Sequence, residues 1–393
     1  MFSRFIDNEN AEVVRRNFDR LAWARLVTNA TYRFTPPFVA VIARGLHVSV
    51  GRLGVAMMIG EFAGLLSPLV GRRIDRSNRV VAMAFGMSGL FLATVLAAVS
   101  VNLVMFGTAM FLLSSTKVVF DTGLIVWIND HVPYERRGRV IGVIETSWAL
   151  GLFIGVSAMG IVTTLVNWRA GFLLGTAAIV FTGTQLLRGL PRHEAHPPAA
   201  VHGRTRIPAA GWLILVSFFL LMGAAQTVGI VFGPWFEDDF GFSSGAIVAV
   251  VISMGIVELV GSVGSSRVVD DWGKEISVRR GTAVMFVAAV AMAAAHAVPA
   301  VAVPMVVLFF LGFEFGLVCV LPVAANMVPG ASGAGLGAAV GAGTLGRALM
   351  SSVATNLYES HGPVVPSVVA AAFALVAGGL ITAYGRSVSG SRS

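Results

Sequence analysis

The chain contains twelve apolar runs, each close to the length that crosses a lipid bilayer. A helix needs roughly 20 apolar residues to span a hydrocarbon core of about 30 Å, and it satisfies all its backbone hydrogen bonds internally. The sequence therefore predicts an all-α membrane protein with twelve transmembrane helices. The predicted spans are residues 21–44, 50–70, 79–99, 102–128, 137–166, 169–189, 209–234, 243–266, 279–299, 301–327, 333–358 and 363–385.

Composition agrees with a chain that lies mainly in lipid. Charged residues make up only 12% of the sequence and hydrophobic residues 56%, whereas soluble proteins contain about 25% charged residues. The formal net charge is +8, but the basic residues fall in short loops between spans. This charge therefore indicates membrane topology and predicts no nucleic-acid partner.

Basic residues are unevenly distributed between alternate loops. The loops on one side are rich in arginine and lysine, whereas the opposite loops contain only Arg44, Arg52 and Arg169. Loops rich in basic residues remain in the cytoplasm. We therefore predict a multi-pass protein of the cytoplasmic (plasma) membrane with both termini in the cytoplasm, which requires an even number of spans.

The densest charge cluster, residues 71–79, separates the second and third spans. Gly71 permits a sharp turn at a helix end, and the charged residues Asp75, Arg76 and Arg79 follow it. These charges can form ion pairs with one another and with Asp130, near the cytoplasmic end of the fourth span. We predict that this loop forms part of a cytoplasmic gate.

The two halves of the chain repeat several features. Val132-Pro133 follows the fourth span and Val328-Pro329 follows the tenth, and the second and eighth spans each contain one glutamate. A repeat of half the chain length is typical of transporters built from two bundles. We predict a cytoplasmic N-terminal segment, an N-terminal bundle of six helices, a cytoplasmic linker, a C-terminal bundle of six helices and a cytoplasmic tail, at residues 1–20, 21–189, 190–208, 209–385 and 386–393.

The loop pattern Gly71-x-x-x-Asp75-Arg76-x-x-Arg79 resembles the loop between helices 2 and 3 of the major facilitator superfamily of secondary transporters. Asn78 stands where that family commonly has glycine. The resemblance implies the major facilitator fold, which consists of two pseudo-symmetric six-helix bundles.

The fifth span carries a second resemblance, at Gly151 and Gly155. This pair is similar to the glycine-rich motif of the twelve-helix drug:proton antiporter branch, although Val156 and Ser157 follow where that branch has proline. Close helix packing explains the pair equally well, because small residues let helices approach in lipid.

Eight charged residues are candidates for positions near the middle of the membrane. Each costs about 2.5–3.5 kcal/mol at the bilayer centre even on the lenient insertion scale, so each needs a partner or a function. These residues are Arg33, Glu61, Lys117, Asp121, Glu145, Glu258, Glu314 and Arg347.

In the major facilitator fold, the first, fourth, seventh and tenth helices line the central cavity. The resemblance therefore implies that Arg33, Lys117, Asp121, Gln226 and Glu314 contact the substrate or the coupling ion. Lys117 and Asp121 are four residues apart on one helix face, so a purely structural ion pair is the alternative. We expect Asp121 to carry the coupling proton, with Glu314 as the second candidate.

The remaining intramembrane charges suggest other roles. Glu61 and Glu258 are expected to support helix packing or hydrogen bonding. Glu145 lies within reach of the arginines around Arg72 and Arg137, which favours a salt bridge that forms part of a gate. The partner of Arg347 stays open at this point.

Three classes of function are compatible with these features. The first is a secondary transporter that exports a small amphipathic molecule in exchange for protons, by alternating access. The second is uptake or exchange of an organic anion, because Arg33 and Lys117 make the cavity cationic. The third is a membrane receptor or enzyme on the same scaffold. The sequence has no nucleotide-binding Gly-Lys-Ser/Thr motif and no metal-ligand spacing. We therefore predict a transporter without enzymatic activity, cofactor or metal. We also expect it to be a monomer in the lipid bilayer.

Overall fold

The computed structural model describes residues 12–66, 78–190, 207–328 and 332–390, and only the backbone at 66, 134–139, 266–271, 332–333 and 388–390. The described residues form helices and turns without a strand. Short 3₁₀ segments lie at Pro36–Phe38 and Ala63–Leu66, and a π-helical segment lies at Gly151–Val156. The α-helices are α1 (Glu12–Arg33), α2 (Val39–Gly45), α3 (Val50–Phe62), α4 (Arg79–Ala98), α5 (Leu103–His131), α6 (Tyr134–Leu150), α7 (Ser157–Leu165), α8 (Trp168–Gly189), α9 (Gly211–Phe240), α10 (Ser244–Trp272), α11 (Lys274–Ala294), α12 (Pro299–Asn326), α13 (Ser332–His361) and α14 (Val364–Gly390).

The described part of each predicted span is mainly helical, which confirms the predicted all-α membrane fold. Within the described residues, nine helical segments are long and apolar enough to cross a membrane. The other three correspond to predicted spans 21–44, 50–70 and 333–358. The first of these is interrupted, the second passes out of the described residues after Leu66, and the third is rich in glycine, alanine and serine.

The first predicted span is broken at its centre. The helix α1 ends at Arg33, and the chain resumes regular α-helix only at Val39. Pro36 and Pro37 cause the break, because proline lacks the amide hydrogen that a helix needs and its ring clashes with the preceding turn. At its other end, α1 begins at Glu12 and therefore includes residues 12–20, which the sequence analysis assigned to a separate N-terminal segment.

Asparagine side chains cap the N-termini of three helices. Asn78 Oδ1 accepts a hydrogen bond from Val80 N at 2.9 Å, and the side chains of Asn102 and Asn167 cap α5 and α8 in the same way. Such caps satisfy amide groups that have no partner within the helix. They fix where α4, α5 and α8 start.

The chain divides into two compact units, and each is described here by itself. The first unit consists of the described parts of Met1–Thr35 and Ala63–Val201, and the second consists of those of Pro36–Phe62 and His202–Ser393. Residues 36–62, which the sequence analysis assigned to the N-terminal bundle, thus pack with the C-terminal helices. The predicted bundle boundaries at 21–189 and 209–385 stay a prediction.

Close contact between α3 and α13 accounts for this grouping of residues 36–62. A Cβ atom at Gly54 would lie 2.0 Å from Thr355 Oγ1, so only glycine fits there. Glu359 near the end of α13 accepts a hydrogen bond from Gly51 N at 2.8 Å and one from Ser49 Oγ at 3.3 Å. The carboxylate of α13 therefore caps the start of α3.

The connection between the predicted spans 243–266 and 279–299 is a turn of a single residue. Helix α10 ends at Trp272 and α11 begins at Lys274. Gly273 joins them with φ of +83°, which glycine adopts readily because it has no side chain. Across this turn, the Arg280 guanidinium carbon lies 3.9 Å from the centroid of the Trp272 ring.

Candidate functional site

One face of α1 lies against the π-helical segment between α6 and α7. A Cβ atom at Gly155 would lie 2.2 Å from Ala30 Cβ, and one at Gly151 would lie 2.9 Å from Asn29 Cβ. The glycine pair therefore gives the close helix packing that was one of its two predicted explanations. The π-helical geometry of Gly151–Val156 is a distortion that often accompanies functional sites.

Four charged side chains from three helices meet beside this contact. Arg25 Nη2 of α1 donates a hydrogen bond to Glu145 Oε2 of α6 at 3.0 Å, and Arg25 Nη1 lies 2.8 Å from Glu145 Oε1. Arg25 Nε lies 3.7 Å from Asp121 Oδ1 of α5. Asp121 Oδ2 accepts a hydrogen bond from Lys117 one turn away. Two cations thus share two carboxylates, and we call Arg25, Lys117, Asp121 and Glu145 the charge cluster.

Burial is uneven within the charge cluster. The side chains of Arg25 and Lys117 are 9% and 8% exposed, whereas those of Asp121 and Glu145 are 26% and 46% exposed. The cations lie deeper than the carboxylates. Because a buried charge is strongly destabilising without a partner, both cations depend on the two carboxylates.

An aromatic patch adjoins the charge cluster. The Arg33 guanidinium carbon lies 4.5 Å from the centroid of the Trp148 ring, and Arg33 Nη1 donates a hydrogen bond to Trp148 O at 3.1 Å. Lys117 Nζ lies 5.4 Å from the Tyr32 ring centroid and 6.0 Å from that of Trp148. Through these cation–π contacts, Arg33 and Lys117 pack against the partly buried rings of Trp148 and Tyr32.

Five polar atoms of this region have no hydrogen-bond partner among the described residues. Three are donors, Arg25 Nε, Arg25 Nη1 and Trp148 Nε1, and two are acceptors, Asp121 Oδ1 and Asn29 Oδ1. Leaving a buried donor or acceptor unsatisfied destabilises a protein, so each such atom needs an explanation, for example a role in binding. These five atoms are therefore candidates for contacts with a bound polar group next to the aromatic rings.

The predicted gate is partly within the described residues. Arg79 Nε donates a hydrogen bond to Asp130 Oδ2 at 3.0 Å, and the side chains are 3% and 20% exposed. This pair joins the start of α4 to the end of α5. Gly71, Asp75 and Arg76 lie outside the described residues.

In the second unit, Arg347 of α13 donates a hydrogen bond to Glu61 of α3. This contact identifies a partner for Arg347, which the sequence analysis had left open. One turn further along α13, Ser351 Oγ accepts a hydrogen bond from Gln226 Nε2 of α9 at 2.9 Å. Gln226 of α9 and Glu61 of α3 therefore contact a polar row on α13 that consists of Ser351 and Arg347.

The other two predicted acids of the second unit are deeply buried. Glu258 of α10 is 0% exposed and Glu314 of α12 is 5% exposed. A Cβ atom at Gly261 would lie 3.4 Å from Glu314 Cβ, which places Glu314 on the side of α12 that faces α10. Within the described residues, no group of three histidine, cysteine, aspartate or glutamate side chains is placed to hold a metal ion.

The sequence analysis did not single out Arg25, although it connects both carboxylates of the charge cluster. Arg25 lies near the start of the first predicted span, 21–44. Its signal was its spacing, because positions 25, 29, 32 and 33 share one helix face. Glu145 is paired with Arg25; Arg72 lies outside the described residues and the side chain of Arg137 is not described.

Parts of the chain are similar in sequence to uncharacterised transporters. The chain is 24% identical over 205 residues to the uncharacterized MFS-type transporter YwfA of Bacillus subtilis (strain 168), a match that covers 50% of this chain and 48% of that protein. It is 26% identical over 170 residues to the putative uncharacterized transporter YgaY of Escherichia coli (strain K12), covering 42% of each. The chain spans about half the length, or less, of the curated relatives it matches.

Solved transporter structures share the fold along almost the whole chain. A bacterial homologue of the human lysosomal transporter Spinster, inward-facing and occupied, has a TM-score of 0.76 at 13% identity and covers 94% of this chain and 96% of that one. The human organic anion transporter MFSD10 has a TM-score of 0.69 at 17% identity and covers 93% and 99%. At such identities the likeness concerns the fold alone. The model of the Major Facilitator Superfamily matches residues 21–355, so the chain belongs to this family of multi-pass membrane transporters.

Proposed function

We propose that this transporter exports a small amphipathic compound across the cytoplasmic membrane in exchange for protons, by alternating access. The observation that carries the proposal is Asp121, a carboxylate in the middle of α5 that has Lys117 on one oxygen and no hydrogen bond from the described residues on the other. Ionisable groups inside membrane proteins commonly mark proton and substrate pathways. Asp121 is the proposed proton carrier, and Glu314 is the second candidate.

The proposed substrate contacts combine charge with aromatic surface. Trp148 and Tyr32 offer ring faces next to Arg33 and Lys117, and Trp148 Nε1 has no hydrogen-bond partner among the described residues. An amphipathic molecule matches both features, because its apolar part can lie on the rings while its polar part replaces a cluster contact. Gln226 and Glu314 of the second unit are the remaining proposed contacts.

Uptake or exchange of an organic anion is the second candidate. Arg25, Arg33 and Lys117 supply three positive charges, and Asp121 and Glu145 supply two negative charges, which leaves one positive charge in excess. A carboxylate or sulfonate would compensate that excess. The human organic anion transporter MFSD10 has the same fold, which is compatible with this candidate and does not select it.

The gate, topology and assembly belong to the same proposal. Arg79 and Asp130 would close the cytoplasmic side together with Gly71, Asp75 and Arg76, both termini would lie in the cytoplasm, and the protein would act as a monomer. The buried Arg79–Asp130 pair supports the part of the gate that falls within the described residues.

Purified protein in liposomes with a clamped membrane potential tests the proposal. We expect a pH gradient to drive accumulation of tetraphenylphosphonium, an amphipathic cation, and Asp121→Asn to abolish this while exchange at equal pH survives. Fluorescein, an organic anion, is the parallel probe. The matched control is Glu12→Gln, since Glu12 is a carboxylate paired with Arg16 on the exposed part of α1.

The outcomes separate the candidates. Gradient-driven movement of fluorescein alone would favour the anion candidate over the amphipathic cation. If Asp121→Asn and Glu12→Gln both retain full gradient-driven transport, Asp121 is not the proton carrier.

A further inference from the structure

Arg25 lies close to two carboxylates, those of Glu145 and Asp121. Its Nη2 donates a hydrogen bond to Glu145 Oε2 at 3.0 Å and its Nη1 lies 2.8 Å from Glu145 Oε1, whereas its Nε lies 3.7 Å from Asp121 Oδ1. Neither Arg25 Nε nor Asp121 Oδ1 has a hydrogen bond from the described residues. A small movement of Arg25 toward Asp121 would close this gap and loosen the contact with Glu145.

We propose that Asp121 and Glu145 share one exchangeable proton and that Arg25 is the positioning residue that pairs with whichever carboxylate is ionised. This rests on the proposed function, in which Asp121 binds a proton, and it adds Glu145 as the second carrier. When Asp121 is protonated, Arg25 pairs with Glu145⁻; when Glu145 is protonated, Arg25 pairs with Asp121⁻. Arg25 therefore keeps an ionised partner in both states, and Lys117 contacts Asp121 in the state in which Asp121 is ionised.

The arrangement of other charges supports this sharing. The charged groups that face Asp121 are Lys117 on its own helix and Arg25 on α1, and Glu145 contacts Arg25 from α6. Arg33 lies on the same face of α1, two turns from Arg25, and contacts Trp148. The neighbouring helices α4 and α8 carry charged residues only at their ends, Arg79 in one and Arg169 and Arg188 in the other.

Exposure gives the two carboxylates different access to protons. The side chain of Glu145 is 46% exposed and that of Asp121 is 26% exposed, so Glu145 meets the aqueous proton more readily. A proton taken up at Glu145 releases Arg25 to Asp121, and a proton at Asp121 returns Arg25 to Glu145.

Thermal denaturation of the purified protein tests the sharing without a substrate. We expect Glu145→Gln to lower the melting temperature modestly, because Arg25 keeps Asp121. Asp121→Asn should lower it more, because Lys117 also loses the carboxylate it contacts. The double variant should lose more than the sum of the two, since Arg25 then has neither carboxylate. Adding Arg25→Gln to the double variant should restore the part of the loss that exceeds this sum, or restore expression if the double variant fails to fold. Additive losses, or no recovery with Arg25→Gln, would overturn the sharing.

Transport provides a readout that a structural role would not change. The assay uses liposomes with tetraphenylphosphonium as the probe, or with fluorescein if only the anion is transported. Glu145→Gln should lower the pH midpoint of gradient-driven transport by about one unit or more, because Arg25 then stays paired with Asp121. Glu145→Asp retains a carboxylate and should keep the wild-type midpoint, as should the surface control Glu12→Gln. An unchanged midpoint in Glu145→Gln, with coupling still lost in Asp121→Asn, would reject only the role of Glu145 and Arg25. Coupling that survives in Asp121→Asn would reject the proposed function itself.

Discussion

The substitution Glu61→Gln should destabilise the protein by about 3–5 kcal/mol, the usual cost of removing one partner from a buried ion pair. The side chains of Glu61 and Arg347 are only 12% and 13% exposed, so solvent screens the pair little. The neutral amide of this variant would leave the Arg347 guanidinium charged and buried without the carboxylate it contacts. Most of the expected loss is this desolvation cost.

Unfolding in mixed micelles of increasing sodium dodecyl sulfate, followed by tryptophan fluorescence, measures the change in free energy. The surface control is Glu12→Gln, because the Glu12 and Arg16 side chains are 67% and 76% exposed and exposed pairs contribute about 0–1 kcal/mol. A second variant, which combines Glu61→Met with Arg347→Met, should recover most of the loss. Apolar pairs of similar volume replace buried ion pairs at little cost or with a gain.

The reasoning fails if Glu61→Gln costs no more than Glu12→Gln. It also fails if the double methionine variant is as unstable as Glu61→Gln, because the loss would then come from packing and not from an uncompensated charge.

Two further predictions concern packing and topology. Gly155→Val should lower both the melting temperature and gradient-driven transport, because even a Cβ atom would lie 2.2 Å from Ala30 Cβ. Adding Ala30→Gly should partly restore both. An unaffected Gly155→Val protein would mean that the close approach of α1 is not required. In a Cys319→Ala background, single cysteines at Asn102 and Glu359 should react with a membrane-impermeant maleimide from outside the cell and one at His196 should not; external labelling at 196 would contradict the twelve-span topology.

The sequence predicted the helices well because the length of an apolar run is a local property that the bilayer constrains directly. The break in the first span was also visible in the sequence, at Pro36-Pro37, but its extent was not. The Lys117–Asp121 contact follows from a spacing of four residues on one helix. Properties of this kind depend only on neighbouring positions.

Contacts between distant helices were harder to predict. Glu145 is paired with Arg25, 120 residues earlier, and Glu61 with Arg347, 286 residues later. Several acids lay at a suitable depth for each arginine, and depth alone does not say which helix faces which. Arg25 was missed because a charge near a span end is usually explained by the interface with water.

The single-residue turn at Gly273 limits how the second unit can move. Only one residue separates Trp272 from Lys274, and Arg280 stacks on Trp272. At this end, α10 and α11 therefore cannot separate or slide past each other. A displacement of the end of α10 therefore moves the start of α11 with it, and the two helices can change only the angle between them at this point.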